Sequence, residues 1–468
     1  MKYISTRGEA PVLGFSDVLL AGLARDGGLY VPEEWPVLTP ATISGFAGLP
    51  YAEVAFRVML PFVEPDIAPA ELRRLIDDAY AVFRHPAVTP LVQIAPNHFI
   101  LELFHGPTLA FKDVAMQLLA RVMDHVLEKR GERATIVGAT SGDTGGAAIE
   151  AFRGRDRTDI FIMFPQGRVS PVQQRQMTTI PDPNVHALAV EGTFDDAQAI
   201  VKGMFNHFSF RDRVSLSGIN SINWARIVAQ VVYYFVAGSA LGAPHRPVSF
   251  TVPTGNFGDI FAGYVAKRMG LPISKLVIAT NVNDILDRAM RTGTYELREV
   301  VASTSPSMDI QISSNFERLL FDSYARDGAA VRIAMHELAQ RKAFTIHPPA
   351  LAWIRSMFAS GRADEALTAQ VIGDTFSNLG YLLDPHSAVG VAVATDHLER
   401  GVPMITLATA HPAKFPDAVA AAAGVHPHLP AWLAGMMQRE EKFRVVPADL
   451  MTVERIVEAE TRAIKIGY

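Results

Sequence analysis

Apolar residues recur at helical spacing through Val114, Leu118, Leu119, Val122, Met123 and Val126, with Arg121, Asp124, Glu128 and Lys129 on the other faces. That period predicts an amphipathic helix, and Gly131 is placed to end it. The unbroken run Ala134–Ala139 is short enough for a buried strand. Asp159–Phe164 and Val185–Val190 predict two more, with helical stretches at Ala147–Phe152, Pro171–Thr178 and Asp195–His207 between them. Strand and helix alternating at this spacing predict parallel sheet with crossovers. The rhythm returns at Val248–Val252. A helix carrying Ile260, Phe261, Tyr264, Val265 and Met269 follows, then strands at Leu276–Ala279 and Met404–Ala408.

Before about residue 99 the alternation is missing. Leu19–Leu23 predicts a helix stopped by the glycines at 27 and 28 and followed by a short extended piece. Prolines recur at 36, 40, 50, 61, 65 and 69. The pattern therefore predicts an α/β protein with an N-terminal accessory domain over 1–98 and a first α/β block over 99–245. A second block covers 246–420, and a helical C-terminal extension covers 421–468.

Composition narrows the function. Net charge is −5 over 468 residues with no basic block, which argues against a nucleic-acid partner. The absence of cysteine removes disulfides, thiolate nucleophiles and zinc–cysteine sites. The most apolar stretch, Val231–Ala243, is too short to span a bilayer and predicts a buried helix. Met1–Arg7 has no apolar signal core. A cytoplasmic protein without a membrane partner is the expectation.

The residue richest in chemistry is Lys112, in the run Phe104–Asp113 (FHGPTLAFKD). Flanked by Phe111 and followed by an apolar helix, its amine is expected to be partly desolvated, and such lysines attack carbonyls. The turn Thr140–Gly146 (TSGDTGG) offers backbone N–H groups with the Ser141 and Thr144 hydroxyls. It can receive a carboxylate, or serve as a helix start capped by Ser141. Gly255–Asp259 (GNFGD) lies between a strand and a helix, where small residues let backbone close around a phosphate or make a tight connection. Asn220–Arg226 (NSINWAR) sets Arg226 five residues after Ser221. Both fit one phosphate pocket, or a capped amphipathic helix with Arg226 at the surface. Thr409 ends the strand at 404–408, positioned for a ligand heteroatom or for starting the next helix. His105, His386 and His411 lack metal-ligand spacing, so no metal is assigned.

Taken together with YISTRG at Tyr3, DGGLYVP at Asp26, FPQGRVS at Phe164, EGTFDDA at Glu191 and TAHPAKF at Thr409, these segments resemble the threonine synthase family, in its bacterial and fungal branch. The resemblance covers nearly the whole chain. It implies a pyridoxal-phosphate (PLP) enzyme of fold type II, the tryptophan-synthase-β type, with two open parallel-sheet domains and an N-terminal module. By resemblance, Lys112 holds PLP, Gly255, Asn256, Phe257, Gly258 and Asp259 surround its phosphate, and Thr409 faces its pyridine nitrogen. Thr140, Ser141 and Thr144 match the loop for the substrate carboxylate. Asn220, Ser221 and Arg226 match the segment near the substrate phosphate.

Many relatives of this fold carry asparagine where this chain has Asp143. An ionised aspartate cannot donate to the cofactor's phenolic oxygen, so Asp143 is expected to point away or be protonated. The implied activity is a carbon–oxygen lyase reaction: O-phospho-L-homoserine and water give L-threonine and phosphate by γ-elimination and β-addition. A monomer or weak homodimer is expected. The alternatives are a PLP-dependent serine or threonine dehydratase, which has no use for a phosphate-binding Arg226, and a non-catalytic protein that binds PLP or a phosphometabolite. A nucleotide-binding oxidoreductase is disfavoured because no G-x-G-x-x-G fingerprint occurs.

Overall fold

The computed structural model describes residues 1–464. Two sheets carry the fold. The larger has six strands in the order 358–362, 273–280, 248–253, 404–408, 98–102, 91–95. All neighbours are parallel except the last pair, an antiparallel hairpin. The smaller sheet has five parallel strands in the order 444–447, 185–191, 158–165, 134–139, 216–218. Its strand 158–165 is buried at every position, as expected for a strand covered on both faces and rich in β-branched and aromatic residues.

The expected strands are present: Ala134–Ala139 keeps its limits, three others gain a residue at one or both ends, and Leu276–Ala279 lengthens to Ile273–Thr280. Met404–Ala408 and the helix Pro171–Thr178 coincide with their expected limits. Gly131 ends helix Lys112–Arg130 in a left-handed conformation, which glycine adopts without Cβ strain. Three expectations change. The first helix spans Phe15–Ala21 and stops at Gly22, because the break comes before the glycine pair at 27 and 28. The helix expected from Ala147 starts at Asp143. The apolar stretch from Val231 belongs to helix Trp224–Ala240, which is buried almost all round, but the last three residues of the stretch, 241–243, lie past the helix end.

The sheets also cut across the expected limits. Strand His98–Glu102 pairs with 404–408 and with Leu91–Ala95, so a boundary at 98/99 falls within a hairpin of the larger sheet. Arg444–Pro447, in the stretch expected to be helical, adds an edge strand to the smaller sheet beside 185–191. Hydrophobic periodicity marks a strand's existence and says nothing of which sheet it joins.

Residues 1–80 brace the core. Helix Tyr51–Val63 packs on helix 224–240, and helix Pro69–Tyr80 packs on helix 112–130. Trp224 is fully buried among Tyr3, Trp35 and Phe62. The two helices braced in this way begin at Lys112 and just before Arg226. Among the described residues no helix is long and apolar enough to cross a membrane.

Candidate active site

Five segments follow the carboxyl ends of parallel strands, where open α/β sheets hold ligands. The segment 103–111 follows 98–102 and leads to Lys112; 140–142 follows 134–139; 219–223 follows 216–218; 254–257 follows 248–253; and Thr409 follows 404–408. A main-chain bond from Phe111 N to Thr409 O (2.8 Å) fixes Thr409 next to the lysine.

Lys112 is the first residue of its helix and is 8% exposed. Its Nζ lies 4.6 Å from the centre of the Phe111 ring. Burial pulls its pKa down from 10.5 to about 8; Asp143 opposes that shift, and Arg226 and Lys414 reinforce it. Asp113, the next residue, accepts from Thr108 N (2.8 Å) and Thr108 Oγ1 (2.7 Å), which ties the preceding loop to the helix start. Gly106 is required there, because a Cβ would lie 2.4 Å from Asp113 Cβ.

Asp143 points toward two lysines. Its Oδ1 is 3.0 Å from Lys414 Nζ and its Oδ2 is 3.8 Å from Lys112 Nζ. The two ammonium groups hold its carboxyl well below the ordinary range although the residue is buried. Lys414, Gln173 and Gln176, which line this corner, were not singled out in the sequence. The only signal for Lys414 was the TAHPAKF run that contains it.

Ser141 does not cap the helix. The cap position is Gly142, at φ 138, and a Cβ there would lie 2.3 Å from Gln173 Cδ. Thr140 Oγ1 accepts from Gly142 N and Gly145 N, both at 2.9 Å, so this hydroxyl shapes the loop from within. The Ser141 and Thr144 side chains are half-buried, and among the described residues neither the N–H groups of Ser141, Asp143 and Thr144 nor those two hydroxyls have a partner. Such a set of donors suits a carboxylate.

The loop 254–258 is built as an anion cradle. Phe257 takes a left-handed conformation (φ 61) just before helix Gly258–Arg268. Among the described residues nothing accepts from the N–H groups of Gly255, Asn256, Phe257, Gly258 or Asp259. Gly255 cannot carry a side chain, because its Cβ would meet Ser307 O at 2.6 Å. Asp259 turns away from the cradle to accept from Tyr233 and Tyr234 hydroxyls, and burial raises its pKa to about 6.

Arg226 is not at the surface but 3% exposed. Its Nη1 donates to Ile219 O (3.1 Å), its Nε has no partner, and among the described residues no carboxylate pairs with it. Burial lowers its pKa to about 10. A buried guanidinium without an anion is costly, and an anionic ligand removes that cost. Ser221 is half-buried and Asn220 exposed. Asn315 Nδ2 donates to Ser221 O (3.1 Å) and Asn256 O (3.0 Å), fastening this segment to the cradle. Arg318 in turn reaches Asn315, Ile222 O (2.6 Å) and Tyr30 O (3.0 Å). Neither Asn315 nor Arg318 carries a signal in the local pattern.

A cavity of about 480 Å³ is lined by Glu102, Phe104, His105, Tyr381, His411 and Trp432 among others. Its carboxylate is already engaged by His105 (2.7 Å) and Tyr381 (2.7 Å), and no lysine lines it.

A buried reactive amine, a glycine-built cradle of free amides and an unpaired guanidinium at the mouths of parallel strands fit a phosphorylated aldehyde cofactor. Residues 82–363 match the family described as pyridoxal-phosphate dependent enzyme, which defines the class. Residues 2–80 match the threonine synthase N terminus and 387–457 the threonine synthase C-terminal family. The chain is 54% identical over 459 residues to the threonine synthase of Pseudomonas aeruginosa, covering 98% of both chains. It superposes on a PLP-bound threonine synthase from Brucella melitensis with TM-score 0.97 at 65% identity, over 99% of this chain and 100% of that one. The yeast threonine synthase structure gives TM-score 0.93 at 41% identity, with 98% of each chain covered. The chain belongs to the threonine synthase family.

Proposed function

We propose that this protein converts O-phospho-L-homoserine and water to L-threonine and phosphate, with PLP carried on Lys112. The observation that carries the reading is the buried, weakly basic Lys112 amine, next to an amide cradle and an unpaired buried Arg226. PLP, when bound, supplies the electron sink for the carbanions of the reaction. The chain's own residues do the rest. The N–H groups of Gly255–Asp259 hold the cofactor phosphate at the start of an 11-residue helix, whose dipole favours an anion. Thr409 presents its hydroxyl to the pyridine nitrogen. A hydroxyl there, unlike a carboxylate, does not draw a proton onto that nitrogen.

Ser141 and Thr144, with the free amides of 141–144, receive the substrate carboxylate, while Thr140 holds the loop in shape. Arg226 and Ser221 bind the substrate phosphate, with Asn220 at the outer rim. The freed Lys112 amine takes the Cα proton; a pKa of about 8 suits a group that must both accept and return it near neutral pH. The protein is read as cytoplasmic, as a monomer or weak homodimer, and as having no nucleic-acid or membrane partner.

The test incubates the PLP-loaded protein with O-phospho-L-homoserine. Threonine and inorganic phosphate are expected in equal amounts, and Lys112→Ala should form neither. A 2-oxo acid in place of threonine would instead indicate a dehydratase.

A further inference from the structure

The carboxylate of Asp143 lies between two lysines that differ in every other respect. Lys414 is fully buried; its Nζ pairs with Asp143 Oδ1 at 3.0 Å and donates to Thr108 O (2.7 Å) and Gln176 Oε1 (2.9 Å). Three protein oxygens thus surround the Lys414 ammonium. Lys112 makes no hydrogen bond to any described residue, and its amine faces Asp143 Oδ2 at 3.8 Å. Gln173 Nε2 also donates to Asp143 Oδ1 (3.0 Å), so that oxygen is pinned from two sides while Oδ2 faces the reactive lysine. Gln173 is itself anchored: its side chain closes a capping box with Ser170, and Ser170 Oγ donates to Lys414 O (3.1 Å).

Resting on the proposed role of Lys112, we propose that Lys414 is a positioning residue, which with Gln173 fixes Asp143 beside the Lys112 nitrogen and, by its own charge, offsets part of that carboxylate's hold on the nitrogen's proton. The charged groups around the pair come from every element that meets there: Lys112 and Asp143 from the first turns of their helices, Arg226 from helix 224–240, Asp259 from helix 258–268, His386 from helix 385–395, and Lys414 itself. Asp143 favours the protonated nitrogen, and Lys414 and Arg226 disfavour it. Removing the anion and removing the buried cation must therefore move the same proton in opposite directions, which no purely structural role would do.

The experiment follows the visible absorption of the full-length, PLP-loaded protein against pH. Asp143→Asn should lower the midpoint by about one pH unit or more, the effect of losing an opposite charge at this range. Lys414→Met should raise it. If Lys414→Met does not fold, Asp143→Asn is compared with Asp143→Asn/Lys414→Met, which buries no unpaired charge at this corner; the double variant should have the higher midpoint. Shifts in the same direction, or none, overturn the inference. A parent protein that shows no lysine-bound cofactor band overturns the reading of Lys112 instead.

Discussion

A lysine amine with a pKa of about 8 is a different reagent from one at 10.5. At pH 7 its free-base fraction is roughly 300-fold larger. The same burial has a cost in stability. In the cofactor-free protein the folded state binds fewer protons at Lys112 than the unfolded chain between about pH 8 and 10.5, so stability rises with pH across that window. Lys112→Met abolishes this dependence. The variant should melt above the parent at pH 7, and its advantage should shrink as pH rises from 8 toward 10.5. Thermal melts at pH 7, 9 and 10 measure it, and a constant difference would contradict the burial argument. Lys112 was legible in the sequence because its apolar neighbours announce desolvation. The state of Asp143 was not, because it depends on Lys414, which is 271 positions further along the chain.

At the scale of elements, the cradle is a strand end, a left-handed residue and a helix start, and each part has a local signal. Gly255–Asp259 was therefore readable as a candidate phosphate loop. The reason Gly255 must be glycine was not, since the obstacle is a carbonyl from the distant turn at Ser307. Gly255→Ala should push that turn and the amides apart. PLP affinity should fall by tenfold or more while affinity for pyridoxal, which lacks the phosphate, changes little. Fluorescence titration with the two compounds reads the difference, and equal losses would contradict a phosphate cradle. The loop at 140–146 shows the limit of motif reading: its three hydroxyls look alike in sequence, but Thr140 turns inward to accept two amides and only Ser141 and Thr144 are left without partners.

At the scale of the whole molecule, the α/β rhythm gave six of the eleven strands in the two sheets and not their partition. Strand 98–102 lies next to 404–408, and a strand from the last 25 residues completes the smaller sheet. Such pairings depend on distant partners that periodicity does not encode. The N-terminal module likewise gave little away in sequence. Its place behind the two helices that begin at Lys112 and just before Arg226 gives it a task, and Arg318 joins it to the segment 219–223 directly and to the loop 254–257 through Asn315. Arg318→Met leaves several buried acceptors without a donor, at about 1–3 kcal/mol each. The variant should melt lower, and hydrogen exchange should speed up at 220–224 and 255–257. Exchange unchanged in those loops would show that Arg318 does not hold them. The central claim concerns a single amine. Borohydride reduction of the PLP-loaded protein, followed by peptide mass mapping, should find the pyridoxyl adduct on Lys112 and leave Lys414 unmodified; an adduct on Lys414, or on neither, would contradict the account.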